Sequence, residues 1–174
     1  YSSYRRDREG RRGGGVLIQI CDKKYVSSVI KFSDDQKEFE ILWVKLEQGN
    51  NRIAVGGVYH PPNPIYDTAQ FLEYLTNCID KLSDHFNLIL LGGDFNALQS
   101  NTVTELTGLQ DIVIDPTRGD KILDHIFVSD KIYENVKVIK SLVSSDHSAI
   151  VAYNNRHNVN FCAIKQKATY TYRP

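Results

Sequence analysis

The sequence predicts an α/β fold, most simply two packed β-sheets with helices outside. Short strand patterns follow one another before residue 60, a stretch of helical period occupies 68–86, and an apolar run at 88–91 opens a second series of strands.

The first strand patterns cover 16–21, 26–32, 39–46 and 52–59. The third, FEILWVKL, is rich in β-branched and aromatic residues, and the others are bounded by Gly, Asp/Lys or Asn pairs that suit turns. HPPNP at 60–64 cannot continue a strand, nor begin a helix before its last proline, so a rigid loop follows. Next, Phe71, Leu72, Leu75, Cys78, Ile79, Leu82 and Phe86 recur at helical spacing, with Asp67 and Gln70 as a capping box. LILL at 88–91 reads as a buried central strand stopped by the turn GGD. A short helix near 103–109 precedes strands at 123–128, 136–143 and 149–153. From residue 154 the chain is polar and basic, which divides it into a domain at 1–153 and a linker at 154–174.

The 174 residues are 41% hydrophobic, enough for a domain core. That composition disfavours disorder, collagen and a disulfide scaffold, and no apolar run reaches the roughly 20 residues of a membrane helix. The sequence contains no methionine, so a processed product, an excised domain or an incomplete gene is expected. Cys21, Cys78 and Cys162 are odd in number and widely spaced, which suits a reduced, intracellular protein, and no targeting signal is readable. The 21 basic and 21 acidic residues are unevenly placed: 1–24 carry +4, 155–174 carry +4, and the middle carries −8. Basic ends are commonly solvated tails, yet a basic stripe beside an acidic pocket also suits a nucleic acid and a metal.

There is no G-x-S-x-G, H-E-x-x-H, G-x-x-x-x-G-K-[ST] or C-x-x-C motif, which argues against serine hydrolase, zincin and P-loop chemistry. Gly13, Gly14 and Gly15 precede a strand and read as a turn, not a dinucleotide loop. The remaining polar groups lie at the ends of apolar strands: Asp94 and Asn96 after LILLGG, Asp124 and His125 in LDHIFVS, and Ser145, Asp146 and His147 before SAIVAY. Each alone reads as a turn former or a satisfied histidine. Gathered on one rim of a sheet, the carboxylates repel one another and need a cation, and hard oxygen ligands favour Mg2+ or Mn2+. Phosphodiester hydrolysis uses such a set: a carboxylate for water, an amide for a phosphate oxygen, and a His with a carboxylate partner for developing charge.

GGDFNA (92–97), LDHIFVS (123–129) and SDHSAIV (145–151), with VYHPP (58–62) upstream, resemble the exonuclease-endonuclease-phosphatase superfamily. YRRDREGRRGGGV (4–16) and PTRGDKILDHIF (116–127) are most similar to the apurinic-type endonuclease domain of non-LTR retrotransposons. The resemblance spans residues 4–153 and implies a four-layered α/β/β/α sandwich. It also implies magnesium-dependent nicking of DNA in the nucleus, leaving a 3′-hydroxyl that primes a covalently linked reverse transcriptase. By it, Asp94 positions the attacking water, Asn96 and His147 contact the scissile phosphate, Asp124 pairs with His147, and Asp146 is tied to metal binding. Tyr59 matches a tyrosine that reaches the phosphate, with core packing as its structural alternative. Thr117 and Arg118 fall on a loop presented to DNA, or on a plain Pro-Thr turn. Arg5, Arg6 and Arg8 are candidates for the DNA backbone, with solvation as the alternative, and His125 reads as structural.

The family pattern begins earlier, with an Asn on its first strand and a metal-binding Glu on the next. Neither is found here, and Glu9, Glu38 and Glu40 have the wrong context to replace the Glu. The expectation is a sandwich lacking its first strands, with an open sheet edge and little or no activity of its own. Two alternatives stand beside the endonuclease: a phosphoesterase of the same superfamily acting on a small phosphoester or RNA, and a non-catalytic nucleic-acid-binding remnant.

Overall fold

Alternating apolar residues build the central sheet of this protein, seen in a computed structural model that describes residues 1–8, 13–21, 23–133 and 135–154. The elements in chain order are β1 (Ser2–Arg6), β2 (Val16–Ile20), β3 (Val26–Ile30), β4 (Glu40–Gln48), β5 (Asn51–Tyr59), α1 (Thr68–Ser83), β6 (Leu88–Asp94), α2 (Ser100–Thr107), β7 (Gln110–Asp111), β8 (Asp124–Val128), β9 (Asn135–Ile139) and β10 (Ala149–Tyr153). Six of the strands form one sheet in the order β3-β4-β5-β6-β8-β7. Its pairings are antiparallel except β5 with β6, which α1 connects as a crossover.

The two faces of this sheet bury different partners. Ile41, Trp43, Ala54, Val58, Ile89, Leu91 and Phe127 form one core with Phe71, Leu75 and Ile79 of α1 and Val103 of α2. On the other face, Leu42, Val44 and Leu46 pack with Ile18 and Ile20 of β2, so β1-β2 is a second layer over β4 and β5. β9 and β10 pair with each other, so among the described residues β1-β2 and β10-β9 are two separate two-stranded sheets. Both described helices lie on the first core, and neither is long and apolar enough to cross a membrane. The architecture is the expected α/β sandwich. Except for Asn154, the expected linker 154–174 lies outside the described residues, as do Glu9 and Cys162.

Several boundaries moved for local reasons. β1 has no apolar pattern; pairing with β2 and a Tyr4 hydroxyl that donates to the Ser27 carbonyl oxygen (2.8 Å) hold it. Asp67 caps α1 by accepting from the Ala69 N–H (2.8 Å), so the carboxylate itself performs the capping expected of an Asp67/Gln70 box. β6 does not stop at GGD but runs through both glycines to Asp94. Gly93 permits this at φ 154°, where a Cβ would lie 1.8 Å from the Val58 carbonyl oxygen.

Gly93→Ala is therefore expected to destabilise the fold by at least about 1–3 kcal/mol in urea unfolding. Gly92→Ala, whose Cβ would meet only ordinary contacts at 3.7 Å, is expected to stay within about 0.5 kcal/mol of the parent.

Candidate active site

Strand register puts the polar residues in a row. Glu40 pairs with Tyr59 across β4/β5, Tyr59 with Asp94 across β5/β6, and Asp94 with Asp124 across β6/β8. Their neighbours Ile41 and Val58 face the helix core, so by strict alternation the row lies on the opposite face. Neighbouring members are thus about 5 Å apart at the backbone, close enough for side chains to meet.

The turns that follow the strands fix the side chains. After Asp94, the fully buried Phe95 anchors the chain in the core, and its N–H donates to the Leu123 carbonyl oxygen (2.8 Å). Asn96 adopts φ 50°, a left-handed conformation that asparagine tolerates. Its N–H donates to Asp94 Oδ1 (3.0 Å), and its Nδ2 donates to the His60 carbonyl oxygen (2.9 Å). The His60 N–H in turn donates to the Asp94 carbonyl oxygen (2.8 Å), bolting the 60–66 loop to the end of β6. Burial lowers the His60 pKa, keeping a neutral ring whose Nδ1 meets the Tyr66 hydroxyl at 3.0 Å.

Asp124 and His147 form a dyad, with His147 Nδ1 2.7 Å from Asp124 Oδ2. A carboxylate there favours the tautomer with hydrogen on Nδ1 and leaves Nε2 for the site. Thr117 sets both partners. Its buried hydroxyl accepts from the Leu123 N–H (3.0 Å) and the Asp124 N–H (3.1 Å), while its carbonyl oxygen accepts from the Ser148 N–H (2.7 Å), beside His147. Although expected on a DNA-facing loop, Thr117 is 1% exposed and acts here as an internal staple.

Ligand atoms of Asp94, Asp124 and His147 lie within 4.8 Å of one another, the one such group of three among the described residues. Two carboxylates and one imidazole fit a divalent cation that keeps water or phosphate oxygens as its other ligands. Burial raises the Asp94 pKa, with a further push from Asp124; the Asn96 N–H and His147 oppose it.

Other candidates lie apart from this group. Asp146, expected at the metal, is instead mostly solvent-exposed and forms an ion pair with Arg118 (2.5 Å). Arg5 is exposed and pairs with Asp7 at 2.7 Å. Arg6 donates to Asp35 and to the Gln36 and Ile41 carbonyl oxygens, whereas Arg8 pairs with Glu40 at 2.5 Å. His125 is buried against Asp111 (2.7 Å), in keeping with a structural residue. Glu40, discounted on sequence context, is in the row, and the signal was there: it shares alternation with Leu42, Val44 and Leu46. Both its oxygens are engaged, one by Arg8 and one by the Gly15 N–H.

The raised Asp94 pKa has a stability consequence. The folded state binds the Asp94 proton more tightly than the unfolded chain, so its contribution is complete below the ordinary value near about 3.9 and is lost as pH rises through the raised value. In metal-free buffer, Asp94→Asn is expected to melt higher than the parent at pH 7, the difference fading below about pH 4. Thermal melts across pH check this, and a divalent ion should raise the parent's melting temperature more than the variant's.

No family model matches the sequence, and no curated protein matches it. Solved structures do. The endonuclease domain of TRAS1, a telomere-specific non-LTR retrotransposon, matches with a TM-score of 0.68 and 18% identity over 88% of this chain and 80% of that one. Danio rerio (D. rerio) TDP2 complexed with single strand DNA product matches with 0.55 and 15% over 87% and 76%. An endonuclease/exonuclease/phosphatase family protein from Leptotrichia buccalis matches with 0.52 and 19% over 80% and 64%. The sheet order, the helix-covered core and these likenesses agree that the chain has the endonuclease/exonuclease/phosphatase fold.

Proposed function

We propose that this chain is a phosphodiesterase domain that nicks DNA with a divalent cation, Mg2+ or Mn2+, in the manner of a retrotransposon endonuclease. The observation that carries the reading is the convergence of Asp94, Asp124 and His147 within 4.8 Å, on a rim shared with Tyr59 and Asn96. In the full polyprotein the domain would be joined to a reverse transcriptase and act in the nucleus. Likeness to the TRAS1 endonuclease domain and to TDP2 complexed with single strand DNA product supports DNA as the substrate.

The residues divide the work by chemistry. The carboxylate oxygens of Asp94 and Asp124 would hold a divalent ion, which would supply neutralisation of phosphate charge. The Asp94 carboxylate would also orient, or accept the proton of, the attacking water. Asn96 spends one amide hydrogen on His60 and keeps the second for a phosphate oxygen. His147, held through Nδ1 by Asp124, would stabilise developing negative charge by donating from a protonated Nε2, and Tyr59 lies beside Asp94 to donate from its hydroxyl. Because Glu40 is held by Arg8, the described rim offers only two carboxylates to a cation, which supports weak activity for this chain.

Residues 1–174 with Mg2+ or Mn2+ are expected to nick supercoiled plasmid slowly, and His147→Ala to lower the rate by about a hundredfold or more. Robust nicking would overturn the weak-activity reading, and nicking that survives Asp94→Ala would overturn the site. Faster hydrolysis of a small phosphodiester than of DNA would move the substrate to the phosphoesterase alternative. Metal-independent, salt-dependent DNA binding without cutting would leave a binding module.

A further inference from the structure

We propose that the ion pair of Arg8 and Glu40, seated on Gly14 and Gly15, is a positioning device for Tyr59; this deepens the phosphodiesterase reading and rests on it. Glu40 is 4% exposed, and a charge buried that far persists only with partners. One oxygen takes Arg8 Nε (2.6 Å) and Nη2 (2.5 Å), and the other takes the Gly15 N–H. The anchored guanidinium reaches across to the next strand, its central carbon 5.2 Å from the centroid of the Tyr59 ring. Glu40 pairs with Tyr59 in register, and Tyr59 pairs with Asp94. The ring is therefore flanked by the reacting rim on one side and by a neutralised carboxylate on the other.

The triple glycine finds its reason here. A Cβ on Gly14 would lie 2.5 Å from Glu40 Oε2 and 2.6 Å from Arg8 Cζ, and Gly14 and Gly15 have φ of 80° and 90°. Only glycine lets the backbone close over the pair. A purely structural pair would hold the 13–16 turn and leave Tyr59 indifferent; the cation–π contact of the guanidinium with the ring argues otherwise.

A double-mutant cycle on the full chain separates the two. The readouts are affinity for a short DNA duplex in calcium and the NMR resonances of the Tyr59 ring and the Arg8 Nε–H. Tyr59→Phe is expected to weaken binding about tenfold in the parent and to have almost no further effect in Glu40→Gln. Glu40→Gln and Arg8→Lys should both shift the Tyr59 ring resonances, with Arg8→Lys serving if Glu40→Gln fails to fold. An unmoved Tyr59 ring, or the same Tyr59→Phe loss in both backgrounds, would overturn the proposal. If the parent binds no DNA, the phosphodiesterase reading fails on its own, and the ring resonances alone decide the role of the pair.

Discussion

Four neighbouring strands, β4, β5, β6 and β8, come into register at one end of the central sheet, and most of the site's arrangement follows from that alignment. Side chains alternate between faces, so a register that sends Ile41, Val58 and Phe127 into the helix core sends Glu40, Tyr59, Asp94 and Asp124 the other way. A slip of one residue in any pairing would bury a carboxylate in the apolar core. The energy that holds the register is therefore also the energy that builds the site, and Gly93 makes the last pairing sterically possible.

Burying acids side by side has an electrostatic cost, visible in the pKa of Asp94, which burial raises and the neighbouring Asp124 raises further. The protein offsets it locally at each position. Asn96 bonds Asp94, His147 bonds Asp124, and Arg8 neutralises Glu40. The supports behind these groups are backbone bonds to buried residues: the His60 N–H and carbonyl oxygen on one side, and the hydroxyl and carbonyl oxygen of Thr117 on the other. Loops that look irregular thus hold the functional groups as firmly as strands do.

Much of the fold was legible because it rests on local pattern. FEILWVKL, the 68–86 periodicity and the apolar LILL each announce an element whose core face can be read from spacing, and β4, α1 and β6 follow them. β1 was not legible, since SSYRR carries no alternation and becomes a strand only through β2. Asp94, Asn96, Asp124 and His147 stood out as polar residues at strand ends, and the structure brings them together. Asp146 stood out equally and is turned to Arg118, because adjacent residues in a loop need not share a direction.

By itself, the sequence determined which polar residues stood near strand ends and where β4, α1 and β6 would lie, because periodicity and turn chemistry act over a few residues. Only the tertiary structure decided partnership. Whether a carboxylate joins the cluster with His147, as Asp94 and Asp124 do, or meets an arginine, as Glu40 and Asp146 do, depends on contacts between segments distant in the chain. Arg8 and Glu40 are 32 residues apart, and Asp124 and His147 are 23 apart. No local pattern encodes those distances; strand register and the packing of the loops above it do.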